Sequence, residues 1–314
     1  MNTSKYLSKV LVTGITGTVG KALKEALENR GHQVWGLSRK PGFQKIVWDW
    51  GINSLDTKKM EGFSAVFHLA GEPIAQRWTK KAKKRILASR LQGTKLLVST
   101  LNKLSDPPTF FFSASGISYY GIRSSADLTE QDPRGEGFLA EVANCWEEQA
   151  ECFETSLGRS VKGRIGVVLS PKGGMLKSLL TPFKLGLGGR IGDGSQRLSW
   201  IHVQDLIQAM LHCWDNSEVQ GVVNLTSPHP VSNNEFTQSL GSILHRPTVL
   251  PIPKFVMVSL LGQLARETIL SDLSVKPKKL LANNFNFLYP NIQEALQEIL
   301  IPENSSRNDI QKTI

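Results

Sequence analysis

The segment GITGTVG at residues 14–20 constrains this chain more than any other, because of where it stands. It follows directly on the β-branched run Lys9 to Thr13 and opens a stretch of helical spacing from Val19 to Asn29. Glycines at 14, 17 and 20 permit a tight turn, a close approach of backbone to a pyrophosphate, and close packing of helix on strand, with the phosphates at the helix N-terminus. Strand, glycine turn and helix in that order read as the opening of a dinucleotide-binding βαβ unit. Gly14, Thr16, Gly17, Thr18, Val19 and Gly20 are the first candidates for cofactor contact.

The pattern continues along the chain. Strands are expected at Gln33 to Leu37, Lys45 to Trp48, Ala65 to Leu69, Thr109 to Ser113 and Ser160 to Leu169, with helices at Lys80 to Leu101 and Glu141 to Phe153. Near-continuous apolar strands alternating with helices predict an α/β fold, a Rossmann-type doubly wound parallel sheet covered on both faces. Beyond Pro171 the chain turns glycine-rich, regains strand character at WIHV and at Gly221 to Leu225, and is mainly helical after Pro228. The expected division is a Rossmann domain over 1–170, rejoined by 200–226, and a smaller, mainly helical C-terminal substrate lobe from 171–199 and 227–300. Residues 301–314 are expected to form a flexible tail.

Charge and composition narrow the partners. A net charge of +10 calls for an anionic ligand or a basic outer face. The one dense run, Lys80, Lys81, Lys83, Lys84 and Arg85, lies on a helix without interleaved stacking aromatics, so it reads as a solvated face and no nucleic-acid partner is expected. Three cysteines without a C-x-x-C pair suit a reducing compartment. The first strand begins too early to leave room for a secretory signal, and the longest apolar run, Phe255 to Leu264, is about half a membrane span. That run reads as a buried or amphipathic helix. A cytoplasmic protein with no membrane partner is expected, and a homodimer stays open. The six histidines show no metal-ligand spacing, and His68, on an apolar strand, reads as a core histidine.

The second strand ends in Ser38-Arg39-Lys40, where an NAD site would place an acid on the ribose 2′-hydroxyl. Two cations and a hydroxyl suit a 2′-phosphate instead, which points to NADP(H). Asp49, after the third strand, could accept from the adenine amino group or serve as a turn carboxylate. The fourth strand runs into HLAGE, where Leu69, Ala70 and Gly71 let the backbone pass the cofactor ribose.

With these motifs in view, the chain resembles the extended short-chain dehydrogenase/reductases, and among them the atypical NAD-dependent epimerase/dehydratase-like proteins formerly labelled cell-division inhibitors. The resemblance rests on GITGTVG, SRKP, HLAGEPIAQRW, Ser89-Arg90, YYG at 119–121, the block from Pro182 to Leu206 and LTSPHPVSNNEF, and spans roughly residues 9–299. It implies that Arg90 and the backbone near Val167 reach the cofactor. It also implies that 171–194 and the C-terminal lobe form the substrate cleft, with Arg190, Arg197 and Trp200 as candidate contacts.

The family's chemistry normally needs a serine or threonine and a Y-x-x-x-K pair, in which the lysine lowers the phenol pKa so that tyrosine can pass a proton. Ser113 and Ser115 are candidates for the serine; Ser113 is also counted with the cofactor contacts and Ser115 with the catalytic residues. The pair is absent: the residues four positions after Tyr6, Tyr119, Tyr120 and Tyr289 are Val10, Arg123, Ser124 and Gln293. Where the pair is expected stand Phe138 and Val142. Two readings follow. Either the chain is an NADP(H)-dependent oxidoreductase on a small molecule, with Tyr120, Glu141 or a water as proton donor, or it is a catalytically silent NADP(H)-binding sensor or assembly factor.

Overall fold

A computed structural model describes residues 8–40, 42–49, 51, 54–122, 127–154, 156 and 158–301. Tyr6, Pro41, Arg123, Ser124 and the tail from 302 onward, for which flexibility was expected, lie outside the described residues. The strands are β1 (Lys9–Thr13), β2 (Gln33–Ser38), β3 (Lys45–Asp49), β4 (Ser54–Leu55), β5 (Ala65–His68), β6 (Phe110–Gly116), β7 (Arg159–Ile165), β8 (Val167–Leu169), β9 (Arg197–Leu198), β10 (Trp200–His202), β11 (Gly221–Leu225) and β12 (Val231–Ser232). The helices are α1 (Thr18–Asn29), α2 (Lys80–Leu101), α3 (Phe138–Glu151), α4 (Gly174–Lys184), α5 (Val203–Asp215), α6 (Asn233–Ile243), α7 (Lys254–Leu261), α8 (Gln263–Glu267), α9 (Lys278–Ala282) and α10 (Ile292–Leu300).

The central sheet has the order β11-β7-β6-β5-β1-β2-β3-β4, parallel throughout except for the antiparallel edge strand β4. From β1 the chain moves outward through β2 and β3, then returns to the other side of β1 with β5, so the order reverses between β1 and β5. Ligands of doubly wound sheets settle in the crevice at the strand ends of such a switch point. Each strand alternates its side chains between two apolar layers. Val10, Val12, Phe110 and Phe112 pack with Leu23 and Leu27 of α1 and with Leu206 and Met210 of α5, while Leu11, Val66 and Phe111 pack with Leu97 and Leu101 of α2. Burial of both sheet faces, worth about 1.5–3 kcal/mol for each large side chain, explains why these strands read as unbroken apolar runs.

A third core belongs to the lobe, where Phe183 of α4, Phe236 and Leu240 of α6 and Leu296 of α10 surround Trp200. α6 starts with a reciprocal capping box between Ser232 and Glu235. Segment 200–226 rejoins the Rossmann core through α5 and β11, whereas β10 pairs with β8 in a small separate sheet.

Three expectations need correction. The strand expected over Ser160 to Leu169 divides at Gly166, whose N–H donates to the Leu225 carbonyl, into β7 of the central sheet and β8, which pairs with β10. α3 begins at Phe138 rather than Glu141, because Glu267 of α8, distant in sequence, accepts from the backbone N–H of Phe138 (3.1 Å) and Leu139 (2.8 Å) and caps the helix. The apolar run expected as a buried or amphipathic helix divides into α7 and α8, and α7 has no buried residue, with Phe255 and Leu260 each 73% exposed. Among the described residues no helix is long and apolar enough to cross a membrane.

Candidate cofactor and substrate site

The glycine turn is built as its spacing suggests. Gly14 has a φ of +67°, and a Cβ there would lie 3.0 Å from Ala70 N and from the Leu69 carbonyl, so a side chain would separate β1 from β5. A Cβ on Gly20 would meet the Gly14 carbonyl oxygen at 2.2 Å, so this glycine sets the close approach of α1 to the turn. Gly17 is different in kind: its φ is −74°, it stands at the N-cap of α1, and no side chain caps the helix and no acid lies in its first turn. Free N–H groups at an uncapped helix N-terminus attract an anion. Thr16, Gly17 and Thr18, with Lys21 and Lys172, line an open groove of about 910 Å³, and Val19 lines a neighbouring cleft of about 500 Å³.

The neighbouring strand ends are locked by a buried relay. Thr13 Oγ1 accepts from the backbone N–H of Leu69 and Ala70, each at 3.0 Å, and lies 2.8 Å from His68 Nδ1. With its acceptor positions used, the Thr13 hydroxyl must give its hydrogen to Nδ1; the ring proton is then on Nε2, which reaches Thr94 Oγ1 at 2.9 Å. Burial, helped by the Arg90 charge, pushes the His68 pKa down to about 3, so the ring is neutral. His68 is thus a core histidine that, through Thr13, holds the backbone of Leu69 and Ala70 in place.

Arg90 lies beside that backbone. Its guanidinium would be 2.8 Å from a Cβ on Gly71, donates to the Glu72 carbonyl at 3.0 Å, and stacks 4.8 Å from the Trp146 ring centre. Burial lowers its pKa to about 10, against the pull of Glu72, so it stays charged at neutral pH. At the other end, Arg39 and Lys40 are exposed and half-buried Ser38 accepts from Lys40 N at 3.2 Å. Exposed Asp49 accepts from Gly51 N at 2.8 Å through Oδ1, as a turn carboxylate does.

The 500 Å³ cleft brings together Arg90, Ser115 and Val167 with Ser118, Arg197 and Glu267. Arg197 is held by Asp272 through Nε (2.7 Å) and Nη2 (2.9 Å). Arg190 and Trp200 are not among the lining residues: Arg190 is exposed, and Trp200 is buried with its indole N–H on the His229 carbonyl at 3.0 Å. Ser113 is also outside the cleft, buried on β6 opposite His68.

The face of α3 explains the missing pair. Two pairs of positions four apart line the cleft, Leu139 with Ala143 and Val142 with Trp146, whereas the expected pair Phe138 and Val142 does not line it together. Phe138 packs edge-on against Trp78 at 5.1 Å. None of these side chains can carry a proton.

Tyr120, proposed from sequence as the proton donor, does not reach the cleft. It is fully buried, its hydroxyl donates toward Asn224 Oδ1 (2.7 Å) or the Thr129 carbonyl (2.8 Å), and it accepts from Arg164 Nη1 at 3.0 Å. Burial raises its pKa to about 12, outweighing Arg164. It is a structural residue. Glu141, the other candidate donor, is exposed on α3 and is not among the lining residues.

Sequence reasoning missed the residues to which Tyr120 connects. Arg164 on β7 holds Glu147 of α3 in a buried bidentate pair, Nε to Oε1 and Nη2 to Oε2, both 2.8 Å. Burial opposes the Arg164 charge, but Glu147 prevails and raises the guanidinium above its ordinary range. Ser115 Oγ donates to the same Oε1 at 2.6 Å. The available signal was the cation itself on the strand RSVKGRI, because a charge buried in a sheet covered on both faces requires a buried partner.

Comparison with known proteins fits this geometry. Residues 10–226 match the NAD dependent epimerase/dehydratase family, and 252–299 match a domain of unknown function (DUF1731). The human epimerase family protein SDR39U1 is 36% identical, the alignment covering 93% of this chain and 99% of the relative; YfhF of Bacillus subtilis is 32% identical, covering 93% and 97%. The crystal structure of human SDR39U1 (isoform 2) with NADPH superposes with a TM-score of 0.86 at 35% identity, over 93% of this chain and 98% of that one. A nucleoside-diphosphate sugar epimerase from Corynebacterium glutamicum superposes with a TM-score of 0.79 at 30% identity, over 99% of this chain and 62% of that one. The chain belongs to the NAD-dependent epimerase/dehydratase family, as one of its epimerase-family proteins of the extended short-chain dehydrogenase/reductase type.

Proposed function

We propose that the chain binds NADP(H) across the ends of β1, β5 and β6 and acts in the cytoplasm as an oxidoreductase on a small molecule held in the cleft. The observation that carries this reading is that Val19, from the glycine-turn segment at the start of α1, lines one cleft with Arg90, Ser115, Leu139 and Val167. Bound NADPH supplies a hydride and NADP⁺ accepts one. The chain's own residues do the rest. Backbone N–H groups at Gly17 and the start of α1 take the pyrophosphate, and Ser38, Arg39 and Lys40 take the 2′-phosphate. Leu69 to Gly71 offer the ribose a wall without bulky side chains, and the apolar face of α3 excludes water. The human relative crystallised with NADPH supports the cofactor.

A second reading is favoured by Leu139 and Ala143: with no proton-passing pair on α3, the protein binds NADP(H) and senses or assists without turnover. The two part in one assay. The protein is incubated with NADPH and a carbonyl panel, and with NADP⁺ and an alcohol panel, while cofactor absorbance is followed beside a Gly17→Asp control. Turnover above that control supports the oxidoreductase; tight NADPH binding with no turnover supports the silent protein.

A further inference from the structure

The hydroxyls around the cleft differ in what they have left to offer a ligand. Ser199 donates to the Leu273 carbonyl and accepts from Val275 N, each at 2.8 Å. Ser115 is fixed from the opposite side, by charge. Its hydrogen points to Glu147 Oε1 at 2.6 Å, and Glu147 cannot swing away because Arg164 grips both its oxygens. Arg164 is anchored in turn by Tyr120, and Tyr120 reaches Asn224 on β11. A serine has one hydrogen, and here a buried carboxylate holds it in a charge-assisted bond of roughly twice the ordinary strength. What remains for the cleft is the oxygen's lone pairs.

The geometry points to Ser115 as a fixed hydrogen-bond acceptor, so that the ligand group received beside it bears a hydrogen: an alcohol or an amine, and not a carbonyl or carboxylate. This rests on the reading of the cleft as a small-molecule site and names the class of molecule. A carbonyl oxygen set against Ser115 would face lone pair with lone pair and give up its bonds to water; a hydroxyl there replaces the water it loses. Ile74, Ile117, Leu139 and Val142 wall one part of the same cavity and Arg197 and Glu267 another, so an apolar group of the ligand has a wall to pack on.

The test uses 1-phenylethanol and acetophenone, which share one skeleton and differ in whether the oxygen carries a hydrogen. Each is titrated into the protein by ligand-observed NMR, and NADPH is titrated into the same preparation by calorimetry. The alcohol is expected to bind about fivefold more tightly or better, the scale of one hydrogen bond. In Ser115→Ala the preference should shrink below about twofold. In Glu147→Gln the amide N–H can donate to Ser115 and release its hydrogen into the cleft, so the preference should move toward the ketone. Should that variant fail to fold, Ser115→Ala alone decides. Equal or tighter ketone binding by the unmodified protein, an alcohol preference that survives Ser115→Ala, or no binding of either probe overturns the inference. If those failures occur while NADPH still binds, the cofactor reading stands and only the ligand class is lost; failure of NADPH to bind removes the cofactor reading itself.

Discussion

The two halves of the site are built to different standards of likeness to their family. On the β1–β5 side stand a left-handed Gly14 against Leu69 and Ala70, an uncapped helix at Gly17, and a neutral His68 at the strand end. On the α3 side the cleft wall is Leu139, Val142, Ala143 and Trp146, and a buried Ser115–Glu147–Arg164 array stands beside it. The features expected to bind a cofactor and those expected to move a proton thus lie on different elements of this fold. The first depend on backbone shape near the N-terminus of the chain, the second on a few side chains of one helix.

The largest expected effect lies on the α3 side. Glu147→Ala leaves the Arg164 charge buried without its partner, at a cost of about 3–5 kcal/mol, seen as a lower denaturant midpoint. Replacing both residues with leucine should recover most of that loss. If the single substitution is harmless, the array is not a buried ion pair and the comparison fails on this side.

On the β1 side, Gly17→Asp separates binding from folding. A carboxylate is a good N-cap and Gly17 has an ordinary φ, so stability should hold. The same charge repels a pyrophosphate in the space it needs, and NADPH affinity should fall about a hundredfold, roughly 3 kcal/mol. Unchanged affinity would mean that the phosphates do not lie at this helix.

A smaller effect is expected at Tyr120, which sequence reasoning put forward as an acid. Tyr120→Phe leaves Arg164 Nη1 and Asn224 Oδ1 short of a partner, at a cost of about 1–2 kcal/mol of stability. NADPH affinity should stay within twofold. A large loss of turnover with stability intact would restore Tyr120 to the chemistry.

The features legible in the sequence were those fixed locally. β1, α2 and β11 begin and end where their residue patterns place them, because strand and helix periodicities are properties of short stretches. The glycine turn was legible for the same reason. What could not be read depends on distant partners. The contacts of α3 run from Trp146 to Arg90, from Glu147 to Arg164 and from its first turn to the Glu267 cap, and they leave Val142 on the cleft while Phe138 turns to Trp78. Tyr120 was correctly judged to follow β6, but chain position does not say which way a side chain turns, and Arg164 draws this one into the interior. The apolar composition of α7 gave no hint that none of its residues is buried.

The central claim is that an NADP(H) site is intact at the ends of β1 and β2, and its most direct measurement is a paired calorimetric titration with NADPH and NADH. Ser38, Arg39 and Lys40 should favour NADPH at least tenfold, about 1.4 kcal/mol, and Arg39→Asp should reverse the order by repelling the phosphate while accepting from the free 2′-hydroxyl. Equal affinities for the two cofactors, or an unchanged order in Arg39→Asp, would contradict the account.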